Sequence, residues 1–315
     1  MREEPGMRTL MREWDNLKTL SIVGMCKNAG KTTVLNRLLS LKTNGEVWGL
    51  TSIGRDGEST DVVTGTEKPG IFVPEGTLIA TAKDMLKLCD VTQEILETTG
   101  IPTPLGEVVI LRARSAGWVQ LAGPSIVSQL RTVSDLFLEL GAKRTIIDGA
   151  LGRKSLGARS VAEGVILCTG ASYDMRMEKV VADTAGVCRI LNLPKAKTLP
   201  APHEGTLRDA FAQRHEALID GALTESAVTP LLKSGVLKDG RLVVRDPSKV
   251  LLGTETLDRL RQRNVALETE DAARTLCVTI NPVSAYGWRF DPKAFAEAMA
   301  AATDVPVINV KEAEL

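Results

Sequence analysis

The sequence has few aromatic residues, few histidines and no excess of charge of either sign. Aromatic residues make up 3% of the 315 residues, and His203 and His215 are the only histidines. Because neither lies beside a CxxC pair or a second histidine, a histidine-rich metal site is excluded. Lysine plus arginine and aspartate plus glutamate number 39 each. A balanced chain creates no long-range positive field, so we expect no nucleic-acid partner.

The sequence features of secreted and membrane proteins are also missing. The first twenty residues carry a charge every few positions and contain no apolar stretch long enough for a signal peptide or a membrane span. The five cysteines are odd in number and widely spaced, which is typical of reduced intracellular thiols. We therefore expect a cytoplasmic protein with no membrane partner.

Apolar runs and turn signals predict an alternation of strands and helices in the first part of the chain. The predicted strands are Thr19–Gly24, Glu46–Thr51, Glu107–Arg112, Trp118–Ala122, Arg144–Asp148 and Glu163–Thr169, and the predicted helices are Lys31–Leu41, Pro124–Leu140 and Asp174–Val187. This order is typical of an α/β fold with a mainly parallel sheet that helices cover on both faces.

A second series of elements follows the proline- and lysine-rich segment Leu193–Gly205. Its predicted strands are Ala217–Asp220, Arg241–Val244, Val265–Glu270, Cys277–Asn281 and Pro306–Val310, and its predicted helices are Thr254–Arg263 and Pro292–Ala302. We place a boundary here, between a domain of residues 1–200 and a C-terminal α/β subdomain of residues 201–315.

The stretch SIVGMCKNAGKTTVLNRLL (Ser21–Leu39) nearly matches the phosphate-binding pattern GxxxxGK[ST]. The strict pattern fails at Met25, but Gly24 at the strand end, followed by five residues and GKT, fits a longer form. A phosphate site needs converging backbone N–H groups, small residues, a lysine and a hydroxyl for magnesium. We predict that ATP and Mg²⁺ bind in the domain of residues 1–200, at Lys27, Asn28, Ala29, Gly30, Lys31, Thr32 and Thr33, with Thr32 on the metal. The alternative is a glycine-rich turn with an exposed lysine.

Two carboxylates are candidates for the same site. Asp148 ends an apolar strand in KRTIIDGALGRKS, and the small residues after it leave room for a phosphate or a water. We predict that Asp148 acts with Lys31 in catalysis and holds magnesium. Asp56 is the favoured metal ligand among the three carboxylates of GLTSIGRDGESTD (Gly49–Asp61), where a solvated acidic turn is the alternative.

The spacing of the loop resembles that of dethiobiotin synthetase and its relatives, a SIMIBI-like class of P-loop NTPases that includes the nitrogenase iron protein. The series GMCKNAGKTT, LTSIGRDGE, GTLIATA, IIDGALGRKS, VILCTGAS and NPVSAYG, in this order, resembles the ATPase subunit of the lysine 5,6-aminomutase reactivase. The resemblance runs from about Leu20 to Val310. It implies an ATPase that acts with a MutS-like second subunit on an adenosylcobalamin- and pyridoxal-phosphate-dependent aminomutase, with Lys31 and Thr32 on phosphate and magnesium and Asp148 completing the site.

Some assignments stay open within this class. Lys27 either reaches a partner's nucleotide across a homodimer interface, as an extra lysine does in some members, or is a solvated loop lysine. Asn192, in RILNLPKA, is predicted to end a late strand and to contact the base, and Asn281 competes for this role. The segment Asn281–Phe290 concentrates aromatic residues, which predicts either an interaction surface or core.

Two further function classes compete with the reactivase. A biosynthetic ligase like dethiobiotin synthetase requires a second polar pocket that faces the γ-phosphate. A nucleotide-sensing module requires binding with negligible turnover. Glutaminase chemistry is disfavoured, since no cysteine occurs with a catalytic histidine in a recognisable motif.

Overall fold

The computed structural model describes residues 10, 13–14, 16–42, 45–54, 70–150, 162–203 and 205–309. The strands are β1 (Thr19–Gly24), β2 (Trp48–Ser52), β3 (Ile71–Val73), β4 (Leu78–Ala82), β5 (Gln93–Thr103), β6 (Gly106–Ala113), β7 (Gly117–Val119), β8 (Arg144–Ala150), β9 (Gly164–Gly170), β10 (Glu216–Ile219), β11 (Leu223–Thr224), β12 (Gly240–Val244), β13 (Val250–Leu251), β14 (Val265–Thr269), β15 (Arg274–Asn281) and β16 (Val307–Asn309). The α-helices are α1 (Lys31–Ser40), α2 (Val127–Glu139), α3 (Met177–Leu191), α4 (Leu207–Arg214), α5 (Glu225–Lys233), α6 (Thr254–Gln262) and α7 (Pro292–Ala302).

Nine strands form one central sheet in the order β16-β15-β9-β1-β8-β2-β4-β6-β5. Neighbouring strands are parallel from β16 to β4, and β6 runs antiparallel to both β4 and β5. The two central strands on either side of β1 are buried almost throughout, and all seven residues of β9 are buried. Such continuous apolar strands are typical of parallel sheets that are covered on both sides.

Helices cover both faces of this sheet. On one face, Leu35 and Leu38 of α1 pack with Leu20 and Ile22 of β1 in the same core cluster. On the other face, a second cluster joins α2, α3 and α7 to the sheet through Leu130, Val180, Phe295 and Met299. The predicted α/β fold with a mainly parallel, two-sided sheet is confirmed.

A smaller parallel sheet has the order β10-β12-β14 and lies between α3 and β15 in the sequence. Helices α4, α5 and α6 share one apolar cluster with it. Strands β15 and β16, which follow, join the central sheet instead. The part of the chain after residue 200 therefore contributes to both sheets, and the domain boundary stays a prediction.

No helix in the described ranges combines the length and the apolar character that are needed to cross a membrane.

Candidate functional site

Residues 25–30 connect β1 to α1 at the carboxyl edge of the central sheet, where ligands bind in open α/β sheets. The backbone N–H of Met25 donates to the Cys168 carbonyl of β9 at 2.8 Å, which extends the strand by one residue. Asn28 and Gly30 then take left-handed φ values of 60° and 94°. Glycine adopts this conformation without a Cβ clash, so Gly30 allows the sharp entry into α1.

Helix α1 begins without a side-chain cap. Its N-cap is Gly30, its first turn has no acidic residue, and its first residue is Lys31. The first N–H groups of a helix have no partner within the helix, and the helix dipole places partial positive charge there. A lysine at this end is unfavourable unless an anion is also present. The local composition therefore favours anion binding.

The side chain of Lys31 lies back over the end of β1. A Cβ atom built on Gly24 would lie 3.0 Å from Lys31 Cδ and 3.1 Å from Cγ. Any larger residue at position 24 would displace the lysine stem. This contact explains in physical terms why a glycine ends the strand, one position earlier than the strict phosphate-loop pattern requires.

Asp148 lies on β8, between β1 and β2. It pairs with Ile22 on one side and Ser52 on the other, and it is 4% exposed. Gly24, the last residue before the loop, pairs with Ala150. Asp148 lies two residues before Ala150 on β8, which is about 7 Å along the strand. Asp148 is therefore a buried carboxylate on the strand next to β1, near the carboxyl edge of the sheet.

Lys31 and Asp148 both act electrostatically on the buried thiol of Cys168. Burial raises the pKa of Cys168 to about 12; Lys31 acts to lower this pKa, and Asp148 acts to raise it. Burial likewise raises the pKa of Cys26, in the loop itself, to about 11, against the effect of Lys31. Both thiols are therefore protonated at neutral pH, and neither is suited to act as a nucleophile.

Among the other predicted loop residues, Ala29 is 2% exposed and packs into the core below the loop. Thr32 and Thr33 are half-buried on the first turn of α1, and Lys27 is exposed. Asp56 lies outside the described residues. Within the described ranges, no group of three or more His, Cys, Asp or Glu side chains is placed to hold a metal ion.

The expectation that Asn192 ends a strand is wrong. Asn192 is the C-cap of α3, and its Oδ1 accepts a hydrogen bond from the Thr275 N–H at 2.9 Å. Thr275 lies at the start of β15, whereas the loop is level with the end of that strand. About six residues of extended strand, roughly 20 Å, therefore separate Thr275 from the end of β15, where the loop lies. The structure does not bring Asn192 to the loop, because the apolar pattern before it belongs to a longer helix.

Asn281, the competing candidate, does contact the loop. It is the last residue of β15 and pairs with Gly170 of β9. Its Nδ2 donates to the Asn28 carbonyl at 3.1 Å, and a Cβ built on Gly30 would lie 3.7 Å from its Cβ. The sequence indicated Asn281 only as an alternative. Strand order decides which strand ends lie near the loop, and local sequence does not reveal strand order.

We compared the chain with protein-family models, with curated proteins and with solved structures, and none of the three comparisons found a match.

Proposed function

We propose that this chain binds ATP with Mg²⁺ at residues 24–33 and hydrolyses it, as the ATPase subunit of a reactivating chaperone for an adenosylcobalamin-dependent aminomutase. One observation carries the nucleotide part of the proposal. The uncapped, positively charged start of α1 lies at the centre of the carboxyl edge, with Lys31 folded over Gly24. A triphosphate supplies the anion that this helix end lacks.

Each side chain then has a chemical role. The backbone N–H groups at the start of α1 hold phosphate oxygens, and the Lys31 ammonium stabilises the charge that develops on them. Hydroxyl and carboxylate oxygens are the ligands that Mg²⁺ prefers, so Thr32 and Asp148 fit the metal in type. Mg²⁺, when bound, neutralises charge on the phosphates.

Hydrolysis requires an oriented water. In this proposal Asp148 accepts a hydrogen bond from a water that attacks the γ-phosphorus, while the bond from that phosphorus to the bridging oxygen breaks. ADP and inorganic phosphate leave as products, and the water proton passes to phosphate or solvent.

The reactivase part of the proposal rests on the ordered sequence resemblance. A reactivase must favour one conformation of its partner, and a nucleotide shifts such an equilibrium only as far as it binds the two states differently. We therefore expect slow hydrolysis by the chain alone and faster hydrolysis with the MutS-like subunit and an inactivated mutase.

The Asp148→Asn variant separates binding from hydrolysis. It preserves side-chain shape but removes the charge, so we expect ATP affinity by calorimetry to stay within a few-fold and phosphate release to be strongly reduced. Asp135→Asn, at an exposed position on α2, is the matched control and should hydrolyse ATP like the wild type. A wild-type rate in Asp148→Asn would remove Asp148 from the mechanism.

A reconstitution assay tests the reactivase role. Purified chain, the MutS-like subunit and a turnover-inactivated aminomutase should regain mutase activity only with ATP, Mg²⁺ and fresh adenosylcobalamin. Recovery without ATP contradicts the proposal. If no mutase recovers but a small carboxylate or amine stimulates ATP consumption, the chain is a ligase of the dethiobiotin synthetase class. ATP binding with negligible turnover under all conditions identifies a nucleotide-sensing module.

A further inference from the structure

The residues that follow β15 form an ordered turn with an aromatic side chain at its tip. The Ser284 N–H donates to the Trp288 carbonyl, and the Phe290 N–H donates to the Pro282 carbonyl, both at 2.9 Å. Both hydrogen bonds span Tyr286, which is 48% exposed. The chain thus presents a tyrosine on a closed turn.

Side chains fix this turn to the loop that follows β9. The Ala285 N–H donates to Ser172 Oγ at 3.0 Å, and the Trp288 indole Nε1 donates to the Ala171 carbonyl at 2.9 Å. Ser172 is only 8% exposed. The turn is therefore attached to the carboxyl edge at a strand that is the direct neighbour of β1.

Tyr286 stacks on Trp288 with one side of its ring. The ring centroids are 5.5 Å apart and the planes differ by 21°. Because Trp288 is hydrogen-bonded and half-buried, it holds the tyrosine ring in place. A ring that is fixed in advance loses little conformational entropy when a ligand stacks on it.

Asn281 joins this turn to the candidate phosphate loop. Its Nδ2 holds the Asn28 carbonyl, and its Oδ1 accepts a hydrogen bond from the Val283 N–H at 3.2 Å. The amide therefore already bonds the loop with one end and the turn with the other. This double contact gives Asn281 a positioning role between the loop and the turn.

We infer that Tyr286 is the base-binding residue of the nucleotide site and that a purine stacks on its ring, an inference that rests on the proposed nucleotide binding. When the loop holds the outer phosphates of a nucleoside triphosphate, the α-phosphate and the ribose separate the base from the loop. Asn281 links the turn that carries Tyr286 to that loop, and Ser172 fixes the same turn at the end of β9. Every base offers a π-face, so stacking recognises a base without discriminating strongly between bases.

The inference predicts which ligands respond to Tyr286. ATP and GTP should bind the full chain with affinities within a few-fold of each other, because stacking tolerates either purine. Inorganic tripolyphosphate should bind more weakly than both, since it retains the loop contacts but has no base. We would measure all three with Mg²⁺ by calorimetry on the wild type and on Tyr286→Ala, Tyr286→Phe and Trp118→Ala.

Tyr286→Ala should weaken ATP and GTP binding by about tenfold and leave tripolyphosphate binding unchanged. Tyr286→Phe keeps the ring and should bind like the wild type. Trp118 is the matched control, because it is 49% exposed and packs against Phe72 on the β3–β7 pair. Thermal unfolding of each variant without ligand checks that it is folded.

The outcomes separate this inference from the proposed function. If the wild type binds neither ATP nor tripolyphosphate, nucleotide binding itself fails. If the wild type binds ATP but Tyr286→Ala binds it equally well, the site stands and Tyr286 has no part in it. An equal loss of ATP and tripolyphosphate binding in Tyr286→Ala would also overturn the inference, since it would show damage to the phosphate loop.

Discussion

Helices α1 and α5 each follow a parallel strand, yet their first turns are built in opposite ways. In α5, Thr224 Oγ1 accepts a hydrogen bond from the Ala227 N–H at 3.3 Å, and Glu225 occupies the first turn. Glu225 also accepts hydrogen bonds from the Gly253 N–H at 2.6 Å and from Thr256 Oγ1 at 2.7 Å, at the start of α6. In α1 a glycine and a lysine stand where α5 has threonine and glutamate.

The difference is that α1 lacks the stabilising contacts that α5 has at its first turn. In α5 the Thr224 side chain caps the Ala227 N–H and Glu225 complements the helix dipole, as is usual for a structural helix. Helix α1 has neither device, and Lys31 adds positive charge to its positive end. Departures from local rules concentrate at functional sites, which is why we place the nucleotide at α1 and not at α5.

The largest effect that tests this contrast concerns nucleotide affinity. Lys31→Ala removes a charge-assisted contact worth roughly 1.5–3 kcal/mol, so calorimetry should show ATP affinity falling at least about tenfold. Lys293→Ala is the matched control, because Lys293 also lies in a first turn, in α7, where Asp291 already caps the helix. Equal affinity in Lys31→Ala and the wild type would place the site elsewhere.

The converse test asks whether the acidic start of α5 is structural. Glu225→Ala leaves the Gly253 N–H and the Thr256 hydroxyl without their partner, and because Glu225 is exposed we expect the free energy of unfolding to fall by only about 1–2 kcal/mol. Denaturant unfolding measures this. Glu255→Ala removes an exposed acid that forms an ion pair with Arg259 on the same helix, and it should change stability by less than about 0.5 kcal/mol. ATP affinity should be unchanged in both variants.

Unfolding at acid pH should test the same contribution of the Glu225 carboxylate to stability. Although Glu225 is exposed overall, partial desolvation of its carboxylate acts to raise its pKa, but the hydrogen bonds from Gly253, Thr256 and Thr229 outweigh this effect and hold the pKa below its usual value. A carboxylate with a lowered pKa in the folded state contributes stability above its unfolded pKa, and that contribution is lost as the pH falls through the folded pKa. Between about pH 5 and pH 3, the stability difference between wild type and Glu225→Ala should therefore shrink. A constant difference would show that the glutamate acts through packing.

The smallest predicted effect concerns the charge of Lys31 at the start of α1. Without nucleotide, Lys31→Ala should raise the free energy of unfolding by about 0.3–1 kcal/mol, because it removes a cation from the positive helix end. Thermal unfolding at low ionic strength measures this, and salt should reduce the difference. A destabilised variant would mean that the lysine stem packed over Gly24 contributes more than the charge costs.

Several elements could be predicted from local sequence because their signals are local. The bounds of β1 are as predicted, and α7 runs over the predicted Pro292–Ala302, with Asp291 as its cap and proline in its first turn. Other elements carry no such signal. Strand β5 contains glycine, proline and two register shifts, and only its pairing with β6 makes it a strand. Of the predicted strand Trp118–Ala122, only Trp118 and Val119 lie in a strand, β7, which pairs with β3 outside the central sheet.

Some residues of the candidate site could likewise be identified from local sequence, and others could not. Gly24, Gly30 and Lys31 could be identified because a tight turn between a strand and a helix imposes residue types at fixed spacing. Asp148 could be identified because it ends an apolar run. The contact of Asn281 with the loop could not, since 253 residues separate it from Asn28 along the chain.

The sequence alone determined that this protein alternates strands and helices, and that one strand-to-helix turn carries small residues and a lysine. Those features depend on backbone geometry and on hydrophobic periodicity, which act over a few residues. Tertiary structure alone decided that β15 pairs with β9, which brings Asn281 to the loop and leaves Asn192 at the opposite edge of the sheet. Strand order follows from hydrogen bonding and burial between distant segments, and no local pattern specifies which distant strand will be the neighbour.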